Sequence, residues 1–467
     1  MADTADAERL AARGVEQLRQ GRGDAALASF EQALKLAPGH PVSVRNLGVL
    51  LAERGRHADA LALADATLKR QPEHAEALLL RAEALAGLAD HAAAEPAYAA
   101  ALAAGAPAHD VEAQRALTLV ALGRHEAALA ALDRAVALKP DAPLARHRRG
   151  IVRLQLGDFG GWADYEARFG IRRFPETAGA QVTAALSGAL TTSPSADALA
   201  GRRVLLLGEQ GIGDQVMFAG MIPDLQAVAA SVTCVCEPRL VRLFRAAFPG
   251  ASFAGPAEAQ VRRSGIDRVV AMGSLGSAFR RTRADFPGRP YLTPSDAARA
   301  RWAERLGPRT TRLRVGVSWR GGLPNTRRDQ RSLALEQLAP VLGLPDCEVV
   351  SLQYGDAAAE IAAANASLSR PIRAFAATDL NDFDDLAGLV SNLDLVVSVQ
   401  TALVHLAGGL GRPCLTLVPF NAEWRYMAAG ETMPWYGSVR LLRQAGPGAW
   451  GPVIEAAAAA VAARLET

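Results

Sequence analysis

Between residues 7 and 176 apolar positions recur at helical spacing, three or four residues apart, and the pattern itself repeats every 34 residues. Five periods follow one another without a gap: 7–40, 41–74, 75–108, 109–142 and 143–176. Each predicts two helices joined by a tight turn. A small residue recurs in the first helix as Gly14, Gly48, Ala82, Ala116 and Gly150, and in the second as Ala26, Ala60, Ala94 and Ala128. The turn recurs as Gly21, Gly55, Ala89, Gly123 and Gly157. Small residues let paired helices approach closely, and a hairpin that cannot bury its apolar face alone must stack on its neighbours. An α-solenoid follows. The fifth period departs from the others: its second helix reads GDFGGWADYEARFG, with Trp162 where the small residue should stand. Its aromatics predict an interface with the domain that comes next.

Residues 177–200 are small, polar and aperiodic, which is linker composition. Beyond them the pattern changes to short continuous apolar runs, each suited to a buried parallel strand. RVLLL, VTCVCE, LRVGVSW, CEVVSLQ, LDLVVSV and CLTLVPF are such runs. Helical stretches separate them, at about 217–230, 238–247, 332–343 and 401–411, and an alanine-rich crossover helix is expected at 452–465. Alternating strands and helices predict two Rossmann-like halves, 201–300 and 311–467, with ligands at the strand C-termini.

Length agrees: 467 residues suit about three domains of ~150. Half the residues are hydrophobic and the net charge is only +3, which argues against a nucleic-acid partner. The only lysines are Lys35, Lys69 and Lys139, so a cation meeting phosphate beyond residue 200 must be Arg. Cys234, Cys236, Cys347 and Cys414 have no metal-site spacing and read as core. The N-terminal segment is acidic and polar, and no apolar run reaches the ~18 residues of a membrane span, so a cytoplasmic location is expected.

The 34-residue columns identify the repeats as tetratricopeptide repeats. At GEQGIGDQVMFAGMIPDL and DLVVSVQTALVHLAGGLGRP the remainder resembles the ADP-heptose–lipopolysaccharide heptosyltransferase family, with VGVSWRG, RRDQRSLAL, VVSLQ, EWRYM and PWYGSVRLLRQ in support. It is similar above all to bacterial proteins that join such a domain to tetratricopeptide repeats. The layout parallels the O-GlcNAc transferases and some flagellin glycosyltransferases. The resemblance implies a GT-B fold and inverting sugar transfer from a nucleotide sugar. It implies no separate cofactor and no metal.

Asp214 follows Gly208, Gly211 and Gly213 at a strand-to-helix junction. The residues alone suggest a helix N-cap. The resemblance implies the general base that takes the proton from the acceptor hydroxyl. Both roles are compatible. Gly211 and Gly213 would form the acceptor-side loop. Gln400, Thr401 and Ala402 precede a helix whose free N–H groups suit a diphosphate. His405, four residues on, reads either as a phosphate or sugar contact or as a packed core residue. Gln400 stands where related sequences have Asp, keeping hydrogen-bonding ability without the charge. Arg320 follows a strand at a position where a cation can meet the leaving phosphate, and Arg331 is the preferred helper among Arg327, Arg328 and Arg331. Gln353 and Tyr354 end a strand at the cleft and can contact base or ribose. Trp424 and Arg425 read as packing between halves. Asp382 and Asp384 superficially match a metal-binding D-x-D, but they open a helix, where acidic capping is the better reading.

Three functions compete. The first is a transferase whose repeats recruit a protein acceptor, flagellin-like in the architectural parallel. The second is a heptosyltransferase-like enzyme with a glycan or lipid acceptor. The third is a non-catalytic adaptor, for which Gln400 is the main support.

Overall fold

A computed structural model describes residues 2–171, 190–258, 265–322 and 328–465. The chain forms two compact units, Met1–Val152 and Arg153–Thr467.

The first unit is built of helical pairs. Helices α1 (Ala2–Arg19), α3 (Pro41–Glu53), α5 (Ala75–Gly87) and α7 (Ala108–Ala121) alternate with α2 (Gly23–Leu36), α4 (His57–Leu68), α6 (His91–Ala103) and α8 (His125–Leu138). The second helices of the pairs start 34 residues apart, at 23, 57, 91 and 125. Helix α9 (Pro143–Gln155) opens a fifth pair. The small-residue columns work by contact. Ala26, Ala60, Ala94 and Ala128 are wholly buried. A Cβ on Gly14 would lie 2.6 Å from the Phe30 ring, and one on Gly48 would lie 2.2 Å from Leu80. The turn column is left-handed throughout, from φ 63° at Ala89 to 85° at Gly157, which explains the preference for glycine.

The second unit holds two parallel α/β halves. In the first, β1 (Arg203–Leu207), β2 (Ser231–Val235), β3 (Ala251–Ala254) and β4 (Arg268–Ala271) form a parallel sheet in the order β3-β2-β1-β4. The second half contains β5 (Leu313–Ser318), β6 (Cys347–Ser351), β7 (Leu395–Val399), β8 (Cys414–Val418), β9 (Thr432–Met433) and β10 (Tyr436–Arg443). Their order is β6-β5-β7-β8-β10-β9, parallel except for β9 at the edge. This is the architecture that the GT-B resemblance implies. Strand order reverses at β1/β4 in one sheet and at β5/β7 in the other, and in open α/β sheets ligands bind beyond the strand C-termini at such points.

Three elements differ from expectation. The helix expected near 332–343 is a 3-10 turn, Leu335–Leu338, and one helical turn, Ala339–Leu342, interrupted at Pro340. The helix Asp296–Leu306, partly inside the range expected for the first half, packs on the helix Phe383–Ser391 of the second. There Gly388 approaches the carbonyl of Ala298 so closely that a Cβ would sit 2.7 Å from it. The last helix, Gly451–Ala463, was expected to cross to the first half; it buries Val453, Ile454, Ala457 and Val461 in the core of the second.

The four cysteines are buried and form no disulfide. Among the described residues no helix is long and apolar enough to cross a membrane.

Candidate active site

Strand β1 leads into the loop Gly208-Glu209-Gln210-Gly211, and the helix Ile212–Phe218 begins at once. Asp214 sits in its first turn. Its Oδ2 accepts a hydrogen bond from the Gly211 N–H at 3.2 Å, so the N-cap residue is Gly211, and Asp214 closes the cap from the third helical position. Its Oδ1 faces the other way and pairs with the Arg425 guanidinium of the second half. Both side chains are about 85 % buried: 14 % of Asp214 and 15 % of Arg425 remain exposed. Burial works against the charge on Arg425, but Asp214 and Glu423 outweigh it and hold its pKa above the ordinary arginine value.

The two halves touch here. A Cβ on Gly213 would lie 3.2 Å from Ala402 Cα and 3.3 Å from the His405 ring. Gly213 therefore admits the backbone of the opposite half. His405 is buried beneath this contact. Its Nδ1 lies 3.1 Å from the Tyr436 hydroxyl, which lies 3.3 Å from the Tyr291 hydroxyl, and Tyr291 donates to the Val216 carbonyl at 2.7 Å. Burial, with Arg425 nearby, pushes the His405 pKa well below its usual value, so the ring is neutral.

At the C-terminal end of β7, Thr401 caps the helix Ala402–Gly409, its Oγ1 accepting from the Leu403 N–H at 3.2 Å. Gln400 is 2 % exposed, and neither its Oε1 nor its Nε2 has a hydrogen-bond partner. Gly321, in the loop after β5, lies against it: a Cβ there would be 2.8 Å from the Gln400 carbonyl. Other buried polar atoms without a hydrogen-bond partner are Asn421 Oδ1 and Arg425 Nε, after β8, and Arg320 Nε, after β5.

The remaining expected residues are placed as follows. Gln353 braces backbone. Its Oε1 accepts from the Trp319 and Arg320 N–H groups at 3.0 and 2.9 Å, and its Nε2 donates to the carbonyls of Arg320 and Tyr354 at 3.1 Å. The residue open to solvent is Tyr354, which with Gly355, Ala377, Thr378 and Asn381 lines a shallow hollow of about 390 Å³. Arg320 turns toward Glu360 Oε1 and the Asp356 carbonyl, both at 2.9 Å. Arg331 closes a 3-10 turn with Arg328 and comes to 4.0 Å from Glu423. Arg327 lies outside the described residues. Asp382 caps its helix, accepting from the Asp384 and Asp385 N–H groups at 2.9 and 3.2 Å, while Asp384 accepts from the backbone and hydroxyl of Ser295 at 2.8 and 2.6 Å.

Sequence reasoning assigned Arg425 to packing, yet it is the partner of Asp214. The two lie 211 residues apart, so no local pattern pairs them. It missed the ion cluster below the loop as well. Glu209 accepts from Arg168 at 3.0 and 2.6 Å and from the Gly273 N–H at 3.0 Å.

Comparison with known proteins bears on both units. Residues 17–84 match the family described as "Tetratricopeptide repeat", and residues 116–157 match the one described as "TPR repeat". The chain thus carries tetratricopeptide repeats. It is 32 % identical over 380 residues to Protein FlbA of Caulobacter vibrioides. That match takes in 74 % of this chain, more than either unit alone, and spans 60 % of the length of FlbA. Among solved structures, the repeats are similar to a thermophilic TPR protein of Thermus thermophilus: 25 % identity, 35 % of this chain, 90 % of that one, TM-score 0.32. A glycosyl transferase family 9 structure from Veillonella parvula is 13 % identical, over 57 % of this chain and 98 % of its own, with TM-score 0.42.

Proposed function

We propose that the second unit is a glycosyltransferase that moves a sugar, with inversion, from a nucleotide-sugar donor to an acceptor hydroxyl, and that the repeats recruit a protein acceptor. One observation carries this reading above the rest: Gln400 is buried at a strand-order switch point with both polar atoms unpartnered. A buried amide left unbonded costs about 1–3 kcal/mol. A bound ligand removes that cost, and the helix N-terminus beside Gln400 favours an anion such as a diphosphate.

In this reading Asp214 accepts the proton of the acceptor hydroxyl. The hydroxyl oxygen forms a bond to the anomeric carbon as the bond from that carbon to the diphosphate oxygen breaks. Arg425 leaves Asp214 for the departing diphosphate, so donor binding frees the base. Arg is suited to this exchange because its planar fork matches carboxylate and phosphate alike. The Tyr354 hollow takes the base or ribose. FlbA supports an ancestry shared across both units, and the protein acceptor rests on the presence of the repeats.

Donor turnover by Asp214→Asn tests the base. Asn can still accept from Gly211, so the cap survives, and turnover falls by about 10²–10⁴-fold, the range of general-base catalysis. Turnover equal to that of the unsubstituted protein removes Asp214 from the mechanism.

A further inference from the structure

Four non-glycine residues have a left-handed backbone among those described: Ala89, Ser193, Gln210 and Met427. Gln210 lies four residues before Asp214, and Met427 two residues after Arg425. Such conformations persist where surrounding structure over-determines them. Both residues are held by the same stretch of chain, the segment Gln155–Phe169 of the fifth period.

Gln210 donates a hydrogen bond to the Tyr165 hydroxyl. The preceding residue, Glu209, is gripped by both arms of the Arg168 fork. Arg168 also binds Glu166 and Ser274, in a cluster almost wholly removed from water. On the other loop, the Gln155 carbonyl accepts from the Ala428 N–H at 2.8 Å, and its Nε2 donates to the Ala422 carbonyl at 3.2 Å. Met427 reaches to within 3.4 Å of a Cβ position on Gly157. Between the two grips, the Trp424 ring packs edge-on against Trp162 at 5.7 Å and tilted against Tyr165 at 5.9 Å. Trp162 is itself anchored by a bond from its indole N–H to the Arg280 carbonyl at 2.8 Å.

We infer that Gln155–Phe169 is a positioning clamp: Tyr165 and Arg168 fix the loop that carries Asp214, and Gln155 and Trp162 fix the loop that carries Arg425. The inference rests on the transferase reading for its consequence in catalysis, though not for the clamp itself. Every one of these side chains belongs to the second unit. This stretch of the fifth period is thus built into the catalytic unit.

The test uses the full chain with Tyr165→Phe, which removes the acceptor of the Gln210 bond and keeps the ring against Trp424. Arg168→Lys, which keeps the charge and loses the fork, is the second variant. Amide exchange and donor kinetics are both read. The clamp predicts several-fold faster exchange at Gly211–Gln215 in both variants, with exchange in the repeats unchanged. It also predicts that kcat falls about tenfold at constant donor KM, well inside the ~10²-fold that a 1 Å misplacement costs. Unchanged exchange at this loop in both variants overturns the inference, and so does unchanged kcat. An unsubstituted chain that turns over no donor counts against the transferase reading, and the exchange result then decides the clamp by itself.

Discussion

Gln400 and Asp214 present opposite problems at the level of single residues. Gln400 has polar atoms and no partner; Asp214 has two partners already, a backbone N–H and Arg425. In the proposed transfer reaction, a donor arriving with two phosphates addresses both. It gives Gln400 something to bond, and it offers Arg425 an alternative anion. The Gln400 amide carries no charge and can both donate and accept. Far from the site, Ala89 shows how a single residue departs from its column. It holds φ 63° in a turn where the other four periods use glycine. A left-handed L-residue costs about 1–2 kcal/mol, partly offset by the larger entropy glycine loses on folding. Ala89→Gly is therefore expected to raise the stability of the repeats by a few tenths to about 1 kcal/mol, read as an upward shift in the urea midpoint. A downward shift would mean the turn is not strained.

At the level of elements, the contact between the helices Ile212–Phe218 and Ala402–Gly409 joins the two halves, and His405 lies under it. The sign of its effect on stability follows from its depressed pKa. An unfolded histidine takes a proton below about pH 6.5, and the buried one does not. Stability is therefore fully present above pH 7 and is lost as pH falls through 6.5 and below, by at most about 1.4 kcal/mol at pH 5.5. His405→Gln should flatten this part of the profile of urea midpoint against pH between 7.5 and 5.5. An unaltered slope would show that the ring titrates normally.

The sequence was most legible where a period could be counted. The 34-residue register, the alanine columns and six strands were readable because each rests on a local pattern. The strands β3 and β4 were not, since four residues each are too few to show a periodicity, and β10 carries Gly437 and charged positions within it. The break at Pro340 was visible as a residue and was outweighed by the apolar pattern around it. Trp162 signalled an interface through its misfit, and the structure shows which one: Phe218, Tyr165 and Trp424 surround it. The pairs Asp214–Arg425 and Arg168–Glu209 had no local signal, because complementary charges far apart in sequence meet only through the fold.

For the molecule as a whole, the proposed function makes a tetratricopeptide array and an α/β unit with a nucleotide-sugar site one enzyme. The protein-acceptor reading, the glycan reading and the adaptor reading share the fold and separate on ligands. Binding at the β5/β7 switch point is the step common to both enzymatic readings and absent from the third. The direct measurement is a thermal-shift titration of the full chain with UDP, ADP, GDP and CMP, repeated with Gln400→Leu. A ligand bound only by the native state raises the midpoint, by about 2.7 kcal/mol of added stability at 100 times its Kd. If Gln400 holds the donor, one nucleotide raises the midpoint of the unsubstituted protein and the rise is lost or much reduced in the variant. A midpoint that no nucleotide moves, or a rise that Gln400→Leu leaves intact, contradicts that role.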